Sequence, residues 1–195
     1  DVFNRRNQKY ISGNSQPLVF VMALNYRIPR PGKNKWMGNI LGDWTLSAIT
    51  RYASGLPILV PSSQTSLLGS LLFRGTRMNR VPDQPLFLKD LNCHCVDPNK
   101  DLVLNPAAWR DVPAGEWGYS AAYYNDYRFQ RRPDEQLSIG RVFAVKERLT
   151  LQFRAEFFNL FNRTNFLAPD SNRSNNTFGQ INGTFPARQG QMALK

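Results

Sequence analysis

The sequence predicts an all-β chain of about five long antiparallel strands, and three observations carry that expectation. Aromatic residues make up 12% of the chain (13 Phe, 7 Tyr and 4 Trp), alongside 18 Asn, 13 Gly and 13 Pro. Aromatics suit a pleated, half-buried surface, whereas Asn, Gly and Pro build turns. Several segments alternate large apolar residues with small or polar ones at period two, and the connections between them are very unequal in length. No apolar run approaches the roughly 18 residues that a membrane helix needs. Helical spans are thereby excluded, but strand-built barrels are not, because alternating strands never read as continuously apolar.

The first strand is expected over 18–28. Leu18, Phe20, Met22, Leu24, Tyr26 and Ile28 share one face, opposite Val19, Val21, Ala23, Asn25 and Arg27. Eleven residues is long for a soluble strand and ordinary for one crossing a bilayer at a tilt. A turn-rich stretch through Pro29, Pro31, Gly32, Gly38 and Gly42 leads to a second strand over 44–54. There Trp44, Leu46, Ala48, Thr50 and Tyr52 form one face, with aromatics at both ends as in an interfacial girdle.

Between Pro61 and Pro133 strict alternation is lost, and more than 70 residues pass without periodic structure. That is too long for a connection inside a compact soluble domain. Alternation resumes at Glu135, with Leu137, Ile139, Arg141, Phe143 and Val145 on one face. The short polar run Lys146-Glu147-Arg148 then opens directly onto a strand over 149–161. In that strand Leu149, Leu151, Phe153, Ala155 and Phe157 oppose Thr150, Gln152, Arg154 and Glu156, a hairpin signal. An Asn- and Gly-rich stretch over 162–186 precedes a last strand over 188–195.

Short connections (29–43 and 146–148) therefore alternate with long ones (55–134 and 162–187). That asymmetry belongs to up-and-down barrels with short turns on one side of a membrane and long loops on the other. Periodicity alone also accommodates a β-sandwich, whose strands show the same two faces.

Four segments, in order, resemble a branch of TonB-dependent outer-membrane receptors, the Oar-like branch whose members often carry a carboxypeptidase-regulatory-like domain. They are Gly42-Asp43-Trp44-Thr45-Leu46-Ser47 through Ser54-Gly55-Leu56-Pro57, then Leu104-Asn105-Pro106-Ala107-Ala108-Trp109. Next come Leu151-Gln152-Phe153-Arg154-Ala155-Glu156-Phe157-Phe158-Asn159-Leu160-Phe161-Asn162 and Arg188-Gln189 through Ala193-Leu194-Lys195. The likeness runs from about residue 2 to residue 195, with the stretches around Cys93–Cys95 and Tyr119–Tyr127 outside the family pattern.

The resemblance implies that 1–195 is the C-terminal part of one receptor β-barrel domain, an antiparallel up-and-down transmembrane barrel of about 22 strands. The plug, the TonB box and the N-terminal barrel strands are expected to lie outside these residues. It further implies an outer-membrane location in a Gram-negative cell, lipid around the wall, and energised substrate uptake through the TonB complex acting on the N-terminal region. The substrate class stays open between oligosaccharide, peptide and chelate. The alternatives are a soluble secreted β-sandwich binding carbohydrate and a non-transporting barrel serving adhesion or secretion.

Charge does not redirect this reading. Lys and Arg number 25 against 14 Asp and Glu, a net +11, but the excess is +6 over 1–60, +1 over 61–134 and +4 over 135–195. Only Arg5-Arg6 and Arg131-Arg132 are adjacent basic pairs, so a nucleic-acid footprint is not expected. The single histidine, His94, lies between Cys93 and Cys95. Zinc needs four convergent ligands, so no metal or cofactor is expected there; a disulfide or an idle loop decoration remain. No catalytic constellation is visible, because a triad would have only His94 and there is no nucleophile-elbow motif. Arg154 and Glu156, two apart, are expected to pair along a polar wall. Asn159 and Asn162 should shape the turn after their strand. For ligand contact the candidates are the loop aromatics Trp109, Trp117, Tyr119, Tyr123, Tyr124 and Tyr127, which are suited to stack on sugars or peptides.

Overall fold

The computed structural model describes residues 4–30, 38, 40–64, 76–93, 95–146 and 149–195. Its strands are β1 (Val19–Arg27), β2 (Thr45–Ala53), β3 (Asn79–Arg80), β4 (Trp109–Arg110), β5 (Arg132–Lys146), β6 (Leu149–Phe158) and β7 (Gln189–Leu194). Five form one sheet in the order β1-β2-β5-β6-β7, every neighbouring pair antiparallel. Since β3 and β4 pair only with each other, the long strands lie side by side in chain order, an up-and-down meander. Among the described residues β1 and β7 are its two edges, so the sheet is open rather than closed into a cylinder.

The main strands follow the alternation, and the departures have local causes. β5 starts at Arg132, three residues earlier than expected, because β2 supplies partners for Arg132, Pro133 and Asp134. β6 stops at Phe158 rather than Phe161, because Asn159 turns left-handed at φ +51°. Its Oδ1 accepts from Arg163 N at 2.8 Å and its Nδ2 donates to Arg163 O at 2.9 Å. Asn162, also at φ +51°, accepts from Arg188 N at 3.0 Å, so both asparagines shape this turn as expected. At the β5–β6 hairpin Lys146 pairs with Leu149 after a register shift beyond Ala144; Glu147 and Arg148 lie outside the described residues.

Contacts divide the chain into two compact units. The sheet unit is Leu18–Ala53, Arg132–Asn165 and Phe185–Lys195. The other, the loop unit, gathers Asp1–Pro17, Ser54–Arg131 and Phe166–Thr184.

The stretches without periodicity are thus ordered, around a core of Ile58, Val60, Val103, Leu104, Tyr127 and Ile181, with Trp109 and Phe178 beside them. Pattern analysis misses this unit because irregular chain satisfies its backbone groups pairwise, not in ladders. Ile58 N donates to Tyr127 O at 2.8 Å, Val60 N to Ala122 O at 3.0 Å, and Val103 N to Gly179 O at 2.7 Å. Two family-like segments carry close approaches. A Cβ at Gly55 would lie 1.7 Å from Phe129 O, which only glycine avoids. In Leu104-Asn105-Pro106-Ala107-Ala108-Trp109, Asn105 Oδ1 accepts from Ala107 N at 3.0 Å and its Nδ2 donates to Pro85 O at 2.6 Å. That cap starts the 3₁₀ turn Pro106–Ala108, which delivers Ala108 and Trp109 into the core.

Candidate functional site

Strand register sorts the sheet's side chains into two chemically distinct faces. Residues opposite each other in an antiparallel pair point to the same side. One cross-strand row is therefore Tyr26, Leu46, Ile139, Ala155 and Met192. Beside it stands Leu24, Ala48, Leu137, Phe157 and Gly190. Near one end Trp44 packs edge-on against Phe143 and Phe153, with ring centroids 6.4 and 5.9 Å away. Near the other, Phe20 approaches Tyr52 at 6.5 Å. A largely apolar band with aromatic pairs toward both ends suits a lipid-facing wall.

Two charged residues break this face, and each makes local contacts, although the buried Arg141 Nε has no hydrogen-bond partner among the described residues. Arg141 is buried; its Nη1 donates to Ile40 O at 2.8 Å and its guanidinium lies 4.6 Å from the Phe143 ring centre. Glu135, also buried, accepts from Tyr52 Oη at 3.0 Å and from Arg163 Nε at 3.0 Å. Its neighbour Asp134 pairs in register with Arg51 on the opposite face, so these two carboxylates do not form one site.

The second face is mixed, with Val19, Val21, Ile49, Val142 and Phe158 exposed on it, but two adjacent rows are rich in polar residues. Arg27, Thr45, Gly140, Arg154 and Ala193 make one row, and Asn25, Ser47, Ser138, Glu156 and Gln191 the next. Arg154 forms an ion pair with Glu156, whose carboxylate also accepts from Gln191 Nε2 on the adjacent strand. The expected pairing along a polar wall is present. At the base of this face Asp43 binds Arg27 at 3.0 Å and Arg30 at 2.5 Å. The Arg30 hydrogen bond is foremost in holding the Asp43 carboxyl below the usual carboxylate range, with Arg27 adding to it against partial desolvation. Asp43 adopts φ +63°, a left-handed backbone that Asp tolerates better than most residues. This double ion pair leaves no local sequence signature, because Arg27 and Asp43 are 16 residues apart and meet through the β1–β2 pairing.

The six loop aromatics separate by burial. Trp109 and Tyr127 are core residues, their ring centres 5.2 Å apart, and Tyr127 also packs on Phe87 at 5.5 Å. Tyr124 is half-buried; its Oη accepts from Ala121 N at 3.1 Å, and Arg80 stacks over its ring at 5.2 Å. Trp117 and Tyr123 are half-buried too, Tyr123 standing 6.0 Å from Tyr10. Tyr119 is 57% exposed and, with Tyr10 at 46%, offers the most accessible ring surface of this group. Of the expected ligand-contact residues, Trp109 and Tyr127 have their rings committed to the core, Trp117, Tyr123 and Tyr124 are partly accessible, and Tyr119 is exposed.

Cys93 and Cys95 are joined in a disulfide; His94 lies outside the described residues. Among the described residues no group of three or more His, Cys, Asp or Glu is placed to hold a metal ion.

Comparison with known proteins adds one finding to this geometry. The family model for an outer membrane beta barrel domain matches residues 1–191, nearly the whole chain. Neither the curated proteins nor the solved structures yield a match.

Proposed function

Since the chain belongs to the outer membrane beta barrel domain family and resides in the outer membrane, we propose that it is the wall section of a TonB-dependent receptor that imports a substrate with energy relayed by the TonB complex. The observation that carries this reading is the separation, across five antiparallel strands, of an apolar face from one that carries the polar rows. A lumen large enough for transport needs a wet inner wall of this kind, and the apolar face meets lipid. Three of the four receptor-like segments add support, since each holds structurally demanding positions. Asp43 holds two arginines, Gly55 permits a backbone contact, Asn105 caps a turn, and Asn159 ends β6.

In this reading the connections over 54–131 and 166–184 face the cell exterior and form part of the vestibule, where Tyr119 and its neighbours meet an oligosaccharide, peptide or chelate. Cross-linking of the intact barrel to TonB in cells, with and without the proton-motive force, tests the coupling. Energy-dependent cross-links support uptake, and their absence under conditions that label a known receptor contradicts it.

A second reading, a non-transporting barrel for adhesion or secretion, is favoured by the loop unit's possession of its own core, which suits a displayed binding head. Membership of the barrel family removes the soluble sandwich from consideration.

A further inference from the structure

We propose that the base of the polar sheet face is a binding site for a small anion carrying two acidic groups, held by Arg27, Arg30 and Arg154. The inference rests on the reading of this face as a lumen wall and names the ligand chemistry it would accept. Arg27 and Arg154 occupy the same cross-strand row, separated by Thr45 on β2 and Gly140 on β5. Three strand spacings put their backbones about 14 Å apart, and both line one groove of about 850 Å³. That volume lies within the range of small-molecule sites.

The floor between the arginines is low. A Cβ placed on Gly140 would meet nothing closer than Phe153 O at 3.4 Å. Ser47 and Ser138 stand one row up with short hydroxyl side chains, so a solute can lie against the sheet between the two guanidinium groups.

Charge decides the ligand's sign. Three guanidiniums meet two carboxylates here: Asp43 is bracketed by Arg27 and Arg30, and Glu156 is held by Arg154 while also accepting from Gln191. Both acids are thus committed, while the arginine side chains remain 73%, 66% and 57% exposed. A guanidinium carries five N–H donors in a planar fork matched to carboxylate and phosphate oxygens, so donors remain after each internal pair is made. Simple pairing along a wet wall would balance the charges; a residual positive charge around a small-residue floor favours an anion. Asp43, in its left-handed conformation, acts as the positioning residue that holds two of the arginines at the groove's edge.

The test uses the intact barrel in detergent and calorimetric titration at low salt with citrate and, separately, pyrophosphate. Saturable binding of either probe is expected, and the tighter of the two identifies carboxylate or phosphate as the preferred group. Arg27→Gln and Arg154→Gln should each weaken it by about tenfold or more. Arg154→Lys should retain part of the affinity, and Arg173→Gln in the loop unit should leave it unchanged. Asp43→Asn should weaken binding less than either arginine variant. Protease protection in liposomes reads the wall assignment on the same sample. Protected barrel that binds neither probe, or binds them equally well in the Arg27→Gln/Arg154→Gln double variant, overturns the anion site alone. Loss of protection with binding retained overturns the wall reading and leaves the site standing.

Discussion

Arg163 donates from Nε to both carboxylate oxygens of Glu135, at 3.0 and 3.3 Å, and Glu135 is only 1% exposed. The pair ties the start of the β6–β7 connection to β5, and Tyr52 Oη adds a third hydrogen bond from β2. Its two halves are unequal, because the Arg163 side chain is 44% exposed and that of Glu135 is 2% exposed. Removing the arginine strands a buried charge, whereas removing the carboxylate leaves an arginine that water can solvate. Arg163→Ala should therefore destabilise the barrel by about 3 kcal/mol and Glu135→Gln by about 1–2 kcal/mol. Urea unfolding from micelles checks the order; equal losses would mean that Glu135 is reached by water.

In the loop unit, Trp109→Ala should destabilise by about 3–5 kcal/mol, since it empties a core that Tyr127 shares. Tyr119→Ala should change stability by less than about 0.5 kcal/mol, because Tyr119 is exposed. Hydrogen exchange over 54–131 separates the two. A loss of ligand binding in Tyr119→Ala at unchanged protection would mark that ring as a contact.

Acid should loosen the loop unit through Asp170. Burial pushes its carboxyl upward, but hydrogen bonds from Thr177 Oγ1 at 2.7 Å, Asn172 N at 2.9 Å and Asn175 Nδ2 at 2.8 Å outweigh that and hold it below the usual range. A depressed folded value means that the stabilisation is complete above the unfolded carboxylate value of about 3.9 and is lost as pH falls through the lower folded one. Protection of 166–184 should stay flat from pH 7 to about 5 and decline below about 4. Asp170→Asn should flatten that decline, and identical acid profiles for the two proteins would refute the assignment.

Under the proposed receptor reading, β7 ends at the periplasmic side, so Lys100 is expected at the cell exterior and Lys146 on the periplasmic side. Single cysteines at these positions, in a background with Cys93 and Cys95 replaced by serine, should react with an impermeant thiol reagent on whole cells at 100 and not at 146. The reverse pattern would invert the topology.

What sequence alone revealed, and what it did not, follows from the range of the interactions. β1, β2, β5, β6 and β7 are legible because each strand's two faces differ in chemistry, and period two writes that difference into neighbouring residues. Asn159 and Asn162 are legible as well, since turn chemistry is local. The loop unit is not. Its core joins Ile58 to Tyr127 and Leu104 to Gly179 through single backbone contacts between distant segments, which leave no period. The aromatics therefore looked alike in sequence, yet Trp109 and Tyr127 are interior and Tyr119 is not. The Asp43 bracket and the Glu135 cluster arise only once register brings residues 13 to 83 positions apart together.

Whether the apolar face meets lipid and the polar rows meet water is read by a nitroxide scan of β6 in liposomes. Spin labels placed singly from Leu151 to Phe158 are read for collision with oxygen, which concentrates in lipid, and with a water-soluble nickel chelate. A period-two pattern is expected, with positions 151, 153, 155 and 157 favouring oxygen and 152, 154 and 156 favouring nickel. Uniform accessibility along the strand, or the opposite phase, would contradict it.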